Sequence, residues 1–180
     1  HWLEYGYLQQ NRIDDAKKLL LNMQQYATEN PSRRARMHLV FLKGTFLTET
    51  NDWDNDIANI SVDVSELNIG VKSQHYFIEG MKAFKANNEK KLDSIIDQMN
   101  TEIDKESLLV NNLDAGFKVC SSSTYNNPTA NDIKESRVML TQILALKSWL
   151  QNDMIQTENL LKESISLDKE LSYSYGPPFI

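Results

Sequence analysis

The stretch WLEYGYLQQNRIDDAKKLL, residues 2–20, places a polar Gln-Gln-Asn-Arg segment between an aromatic-rich run and three apolar residues at helical spacing. Those three residues, Ala16, Leu19 and Leu20, share one face of a helix. Asn11 stands inside the polar segment, and asparagine is the usual substitute for glycine where a helix ends in the left-handed backbone region. The stretch therefore predicts two helices joined by a tight turn.

The same arrangement recurs at three further places along the chain. Each has an apolar run, a polar turn that holds an asparagine, an acidic or capping side chain, and then apolar residues at helical spacing. The four turn asparagines are Asn11, Asn51, Asn87 and Asn152. Because one helical hairpin cannot bury its apolar stripe alone, the recurrence predicts that neighbouring hairpins stack on one another.

Two of the helices that follow these turns carry the same apolar pattern. Their apolar residues have relative positions 0, 3, 4 and 7, which lie on one helix face, and the two sets are 76 residues apart. That separation is a little over twice the roughly 34 residues of a helix-turn-helix repeat. The two sets are Ala16, Leu19, Leu20, Met23 and Leu92, Ile95, Ile96, Met99.

This pattern resembles the tetratricopeptide repeat, whose first helix is built around Trp-x2-Leu-Gly-x2-Tyr and whose second helix is built around Ala-x3-Phe. Here Trp2-x2-Tyr5-Gly6 is followed by Ala16-x3-Leu20. The resemblance implies an all-α, right-handed solenoid of antiparallel helix hairpins with about eight helices and no sheet. It also implies a concave surface that is lined by the first helix of each hairpin.

The repeats are irregular. Asp56 and Thr157 stand where the second and fourth units should have alanine, and successive turn asparagines are 40, 36 and 65 residues apart. The long last gap holds an insertion or a decayed unit, in which Ile103, Val110 and Phe117 favour a single long helix. We expect a loop or insertion at 119–130, and residues 1–180 to form one domain that is a segment of a longer chain.

The composition excludes several classes of partner. With 19 basic and 25 acidic side chains, the chain has a net charge of -6, which opposes attraction to nucleic acid or anionic lipid. No apolar run reaches the roughly 18 residues that a membrane span requires. The localisation stays open, because any export signal would lie outside this segment.

Three groups of side chains resemble catalytic or metal sites. Asp52, Asp54, Asp56 and Asp63 fall at positions 1, 3, 5 and 12 of a calcium-loop pattern, but Ile57 replaces the required glycine. We favour the interpretation that these acids cap and solvate the first turn of a helix.

His75 and Glu79 lie four residues apart and could share a helix face as metal ligands or as an acid-base pair, but no second histidine is near them in sequence. Cys120 is the only cysteine and lacks the local signatures of cysteine enzymes. We therefore predict no catalytic residues, no metal site and no cofactor.

A binding surface is the more favoured prediction. Arg33 and Arg36 could hold an acidic group of a ligand, although a solvated helix end is the simpler interpretation. Aromatic groove residues would supply contact area, although such a stripe is more often part of a core. The candidate peptide-binding residues are Arg33, Arg36, Phe41, Phe77, Met81 and Phe84. An alignment of the turns gives the groove-facing positions as Tyr5, Leu8, Gln9, His38, Phe41, Thr45, Gln74, Phe77, Met81, Phe84, Gln142 and Trp149.

The sequence therefore predicts a non-enzymatic scaffold that presents a concave surface to a protein or peptide, a role that rests on the family resemblance. Two alternatives stay open. One is a structural segment that packs against the rest of a longer chain or forms oligomers. The other is a metal-dependent enzyme that uses the aspartate loop or the His75 and Glu79 pair.

Overall fold

The computed structural model describes residues 1–114 and 127–171, and all regular structure in these ranges is helical. Seven α-helices and one short 3-10 turn are present there, and no strand. Their bounds are α1 Trp2–Gln9, α2 Ile13–Glu29, α3 Arg33–Thr50, the 3-10 turn Asp56–Asn59, α4 Ile69–Lys85, α5 Glu89–Asp114, α6 Ala130–Leu150 and α7 Met154–Asp168. The predicted all-α class is confirmed, with seven described helices against the eight or so expected.

The described helices belong to two compact units. Unit 1 contains α1, α2, α3 and the 3-10 turn, and unit 2 contains α4 to α7. In unit 1 the three helices pack against one another in all three pairs, and α3 also contacts the 3-10 turn. Both helices of the first hairpin therefore contact α3.

Unit 2 repeats this packing pattern. The hairpin helices α4 and α5 contact each other, and both contact α6, which in turn packs against α7. Helix α4 contacts α6 at Gly80, where a β-carbon would overlap Cδ1 of Ile143. A side chain at position 80 would force the Ile143 side chain to shift, so glycine allows this contact without rearrangement.

Three contacts show that α4 and α6 run parallel to each other. Near their first residues, the Asn68 side chain donates a hydrogen bond to the Asp132 carboxylate at 3.2 Å. Gly80 meets Ile143 further along, and the Phe84 and Trp149 rings meet near the last residues, with centroids 6.4 Å apart. Residue numbers rise together on the two helices, so the same ends of both helices lie side by side.

The four turn asparagines have the predicted left-handed backbone. Asn11, Asn51, Asn87 and Asn152 have φ angles of 57°, 51°, 53° and 60°, and no other non-glycine residue in the described ranges has a positive φ. At the last turn the Asp153 carboxylate accepts a hydrogen bond from the Gln156 amide at 2.9 Å, which caps α7. The helix ends at these four positions thus agree with the prediction from local sequence.

The second repeat departs from the prediction. After Asn51 the expected helix is absent, and the 3-10 turn Asp56–Asn59 is followed by non-helical chain up to Asn68. Polar side chains here bond to the backbone: the Asn55 amide group accepts from Ala58 N at 3.2 Å and donates to Asp52 O at 2.7 Å. Short polar side chains that bond locally in this way compete with helix formation.

The long helix α5 confirms a continuous apolar face. Leu92, Met99, Ile103 and Val110 are all buried along its length. Phe117, Cys120 and most of the predicted loop at 119–130 lie outside the described residues, and α6 begins at Ala130 with a capping box between Thr129 and Asp132.

We predict that residue 87 affects the stability of the fold only through the backbone conformation that it can adopt. Asn87→Val should lower the free energy of unfolding by about 1–2 kcal/mol, because a β-branched residue disfavours the left-handed region, whereas Asn87→Gly should change it by less than about 0.5 kcal/mol. The same change at the exposed, helical Asn100 is the matched control and should be nearly neutral. Urea unfolding measures all three, and equal effects of valine at positions 87 and 100 would contradict the role of the turn.

Candidate functional site

The six predicted binding residues are distributed over both units. Unit 1 holds Arg33, Arg36 and Phe41 on α3, and unit 2 holds Phe77, Met81 and Phe84 on α4.

The two arginines at the start of α3 have acidic partners within unit 1. The Arg36 guanidinium donates to the main-chain oxygen of Asp63 at 3.0 Å, to the Asp63 carboxylate, and to Glu66 at 3.3 Å. Arg33 donates to Glu66 at 3.4 Å. Hydrogen bonds from Ser65 lower the pKa of the Asp63 carboxyl, and the charge of Arg36 adds to this effect. Asp63 is thus held as a carboxylate beside Arg36.

A cleft of about 430 Å³ adjoins this cluster. It lies between the end of α2, the start of α3 and the segment 61–66, and it is lined by Arg36 together with Asp63 and Glu66. An acidic ligand that enters this cleft has to displace one of these carboxylates from Arg36. The geometry therefore gives Arg36 a structural role, which is to hold the segment 61–66 against α3.

We predict that the two arginines differ in their effect on stability. The Arg36 side chain is 11% exposed and the Arg33 side chain 46% exposed. Arg36→Met should lower the free energy of unfolding by about 1 kcal/mol, because a mostly buried guanidinium loses its hydrogen bond to the Asp63 main-chain oxygen. Arg33→Met, the matched control, should change it by less than about 0.5 kcal/mol. Denaturant unfolding measures the stability of both variants. Similar losses for the two would contradict the structural role of Arg36.

Phe41 belongs to a small aromatic cluster in unit 1. Its ring stacks on the His1 ring at 5.5 Å and meets the His38 ring edge-on at 6.3 Å. Burial lowers the pKa of His38, and the nearby charge of Arg34 adds to this effect. The half-buried Phe41 ring thus has histidine neighbours on two sides.

On α4 the three predicted residues have different environments. Phe77 is 5% exposed and is therefore part of the core, whereas Met81 and Phe84 are partly exposed. The Phe84 ring packs edge-to-face on Trp149 of α6, with an interplanar angle of 79°, and Trp149 is 52% exposed. Exposed tryptophan and partly exposed aromatic rings are typical of recognition surfaces.

Two glutamine side chains, one on α4 and one on α6, lie on the same helix faces as Met81 and Trp149. Gln74 precedes Met81 by seven residues, which is two helical turns, and Gln142 precedes Trp149 by the same interval. The side-chain oxygen of each glutamine is buried and has no hydrogen-bond partner among the described residues. We call the surface formed by Gln74, Met81, Phe84, Gln142 and Trp149 the α4/α6 face.

The start of this face carries acidic side chains. Burial raises the pKa of Glu135, and the charge of Asp132 raises it further, while Asn131 donates a hydrogen bond to Glu135 at 2.8 Å. Asp132 is also bound by Asn68. These carboxyls fix the start of α6 against the start of α4.

The candidate metal ligands are not brought together. Within residues 1–114 and 127–171, no group of three or more His, Cys, Asp or Glu side chains is placed to hold a metal ion. His75 lies on α4, with its ring edge-on to Tyr76 at 5.7 Å. None of the described helices combines the length and the apolarity that a transmembrane span requires.

Some buried ionisable groups could not be identified from the sequence. Glu4 on α1 is fully buried, both of its carboxyl oxygens lack a hydrogen-bond partner among the described residues, and burial raises its pKa to about 9. Lys43 is also buried and donates to Ile60 O at 2.9 Å. The only indication in the sequence that Glu4 is buried is its position four residues before Leu8, which places both side chains on one helix face.

Comparisons of this chain with protein-family models, with curated proteins and with solved structures gave no match.

Proposed function

We propose that this chain is a non-enzymatic helical-repeat scaffold whose α4/α6 face binds an extended peptide segment of a protein partner. The observation that carries the proposal is the partly exposed pair of Phe84 and Trp149, which lies beside Met81 on two parallel helices. Aromatic and methionine side chains are enriched at interfaces, where they supply contact area at a low cost in conformational entropy.

The architecture in this proposal is a right-handed solenoid that resembles the tetratricopeptide repeat. The contact pattern supports it, because both helices of one hairpin contact the first helix of the next within unit 1 and again within unit 2. Left-handed asparagines stand at the turns of the three hairpins α1/α2, α4/α5 and α6/α7, at Asn11, Asn87 and Asn152. First helices that run parallel, as α4 and α6 do, are what such a stack requires.

The two orphaned amides indicate how a peptide is held. An unpaired buried polar group costs about 1–3 kcal/mol, so Gln74 and Gln142 gain when a ligand gives them a partner. Both glutamines are only partly buried, so a rotation of either amide group can bring its oxygen within reach of a peptide main-chain N–H. Main-chain hydrogen bonds of this kind favour an extended segment, while an apolar ligand side chain packs on Met81 and Trp149.

The charge of the chain agrees with a protein partner. Its net charge of -6 disfavours nucleic acid, for which basic surfaces supply most of the affinity. The α4/α6 face itself consists of amide, thioether and aromatic groups, so binding by this face requires neither a metal nor another cofactor.

The proposal predicts that a library of random 12-residue peptides displayed on phage yields ligands for the wild-type chain. Trp149→Ala should weaken binding of the selected peptides about ten- to hundred-fold, because central tryptophans carry most of the energy of an interface. Leu108→Ala is the matched control, since Leu108 is 66% exposed but lies on α5 away from the face, and it should leave affinity unchanged. Fluorescence anisotropy with labelled peptides measures each affinity.

Two results would contradict the proposal. One is a selection that enriches no peptide beyond an empty support. The other is a set of enriched peptides that bind Trp149→Ala as tightly as the wild-type chain. Phe77→Ala cannot serve in this test, because emptying a buried phenylalanine site costs about 3–5 kcal/mol of stability.

A further inference from the structure

Helix α7 has an apolar stripe that is separate from its packing face. Met154, Leu161 and Ile165 fall within an arc of about 40° on the helix. They are 50%, 42% and 57% exposed. The buried residues of α7, Thr157 and Ser164, lie on the neighbouring side. The fully buried side chains of α7 are thus small and polar, whereas three larger apolar ones stay exposed on the adjacent side, which is typical of an interaction surface.

Two opposite charges lie along this stripe. Lys162 donates to Glu158 at 2.6 Å, and both side chains are about two-thirds exposed. Glu158 is four residues after Met154, and Lys162 is three residues before Ile165. The order of groups along α7 is therefore apolar, negative, apolar, positive, apolar.

We propose that a second copy of this chain covers the stripe, through antiparallel pairing of α7 with α7 about a two-fold axis. This two-fold axis is perpendicular to α7 and lies at the level of Leu160. It brings Met154 against the partner's Ile165 and Glu158 against the partner's Lys162. Each contact occurs twice, as in any two-fold interface. Leu161 lies next to the axis, where the apolar parts of the two copies meet.

The charges select both the partner and the direction of the pairing. In a parallel pairing each Glu158 would face a second Glu158, and each Lys162 a second Lys162, which is repulsive. Only the antiparallel arrangement of two identical helices pairs both charges while it also buries all three apolar residues. The stripe is therefore complementary to itself, which is the requirement for an interface between copies.

A pairing through one helix is expected to be weak. Stable interfaces bury about 1,200–2,000 Å² in total, and a single pair of four-turn helices lies at or below the low end of that range. We expect a dissociation constant of roughly 10–100 µM. The proposed dimer interface shares no residue with the α4/α6 face.

Sedimentation equilibrium of the whole chain between about 5 and 500 µM tests the proposal. The wild-type chain should shift from monomer to dimer across this range. Leu161→Glu should weaken the dimer at least ten-fold, because it places like charges beside the axis. Leu108→Glu, the same change at an exposed leucine of α5, is the matched control and should associate as the wild-type chain does.

Charge variants test the antiparallel pairing itself. Glu158→Lys alone and Lys162→Glu alone should each associate at least ten-fold more weakly than the wild-type chain, because each places like charges opposite each other. An equimolar mixture of the two variants should form a heterodimer, since each charge then meets its opposite. Both substituted residues are exposed, so circular dichroism should show unchanged helix content.

The proposal is overturned if the wild-type chain stays monomeric throughout the range, which would mean that another molecule or segment covers the stripe. It is also overturned if the charge variants associate as the wild-type chain does, or if their mixture associates no better than either variant alone. Loss of association in both glutamate variants, at Leu161 and at Leu108 alike, would show a non-specific effect of charge and would contradict the proposed interface.

Discussion

The contact of Ile143 with Gly80, between α6 and α4, is the constraint on which unit 2 depends. Ile143 occupies the space that a side chain at position 80 would need, so its side chain packs directly on the α4 backbone there. This contact lies between the hydrogen bond of Asn68 to Asp132 and the ring contact of Phe84 with Trp149. Together the three contacts fix the parallel register, and with it the α4/α6 face.

Helix α4 is also held on the side of α5. Lys72 pairs with Glu102 at 2.9 Å, and one turn later Gln98 donates to the Tyr76 hydroxyl, also at 2.9 Å. Burial raises the pKa of Tyr76, and the charge of Glu102 raises it further, so this hydroxyl stays neutral at ordinary pH. A helix fixed on two sides keeps Met81 and Phe84 in place without a ligand. Such pre-organisation reduces the entropy that peptide binding would otherwise cost.

The sequence predicted the features that depend on neighbouring residues. The asparagine turns were found because a left-handed helix end restricts residue choice locally, and the apolar face of α5 because its period is regular. The missing helix after Asn51 was not predicted. Its apolar residues, Trp53 and Ile57, occur at helical spacing, but the polar side chains between them bond to the backbone in another conformation. The spacing of the apolar residues does not reveal this competing backbone conformation.

Long-range contacts account for the rest of what the sequence could not give. Arg36 looked available for a ligand because Asp63 and Glu66 are 27 and 30 residues away in the chain. The alignment of the turns grouped Phe77 with Met81 and Phe84, but it does not tell which side of a helix its neighbours cover. Of these three, the structure buries only Phe77. The role of Gly80 was invisible for the same reason, since Ile143 lies 63 residues further on.

The most direct test of this account is a disulfide between positions 80 and 143. A β-carbon at position 80 would lie 3.3 Å from Cγ1 and 3.6 Å from Cγ2 of Ile143, so two cysteines there fall near the 3.5–4.5 Å β-carbon separation of a disulfide. In a Cys120→Ser background, Gly80→Cys with Ile143→Cys should oxidise readily and keep its helix content, as judged by thiol titration and circular dichroism. Gly80→Cys with Lys147→Cys, one turn further along α6, should stay reduced in a chain that also carries Ile143→Ala to remove the overlap at position 80. A reduced 80/143 pair, or equal oxidation of the two pairs, would contradict the parallel crossing on which the proposed binding face depends.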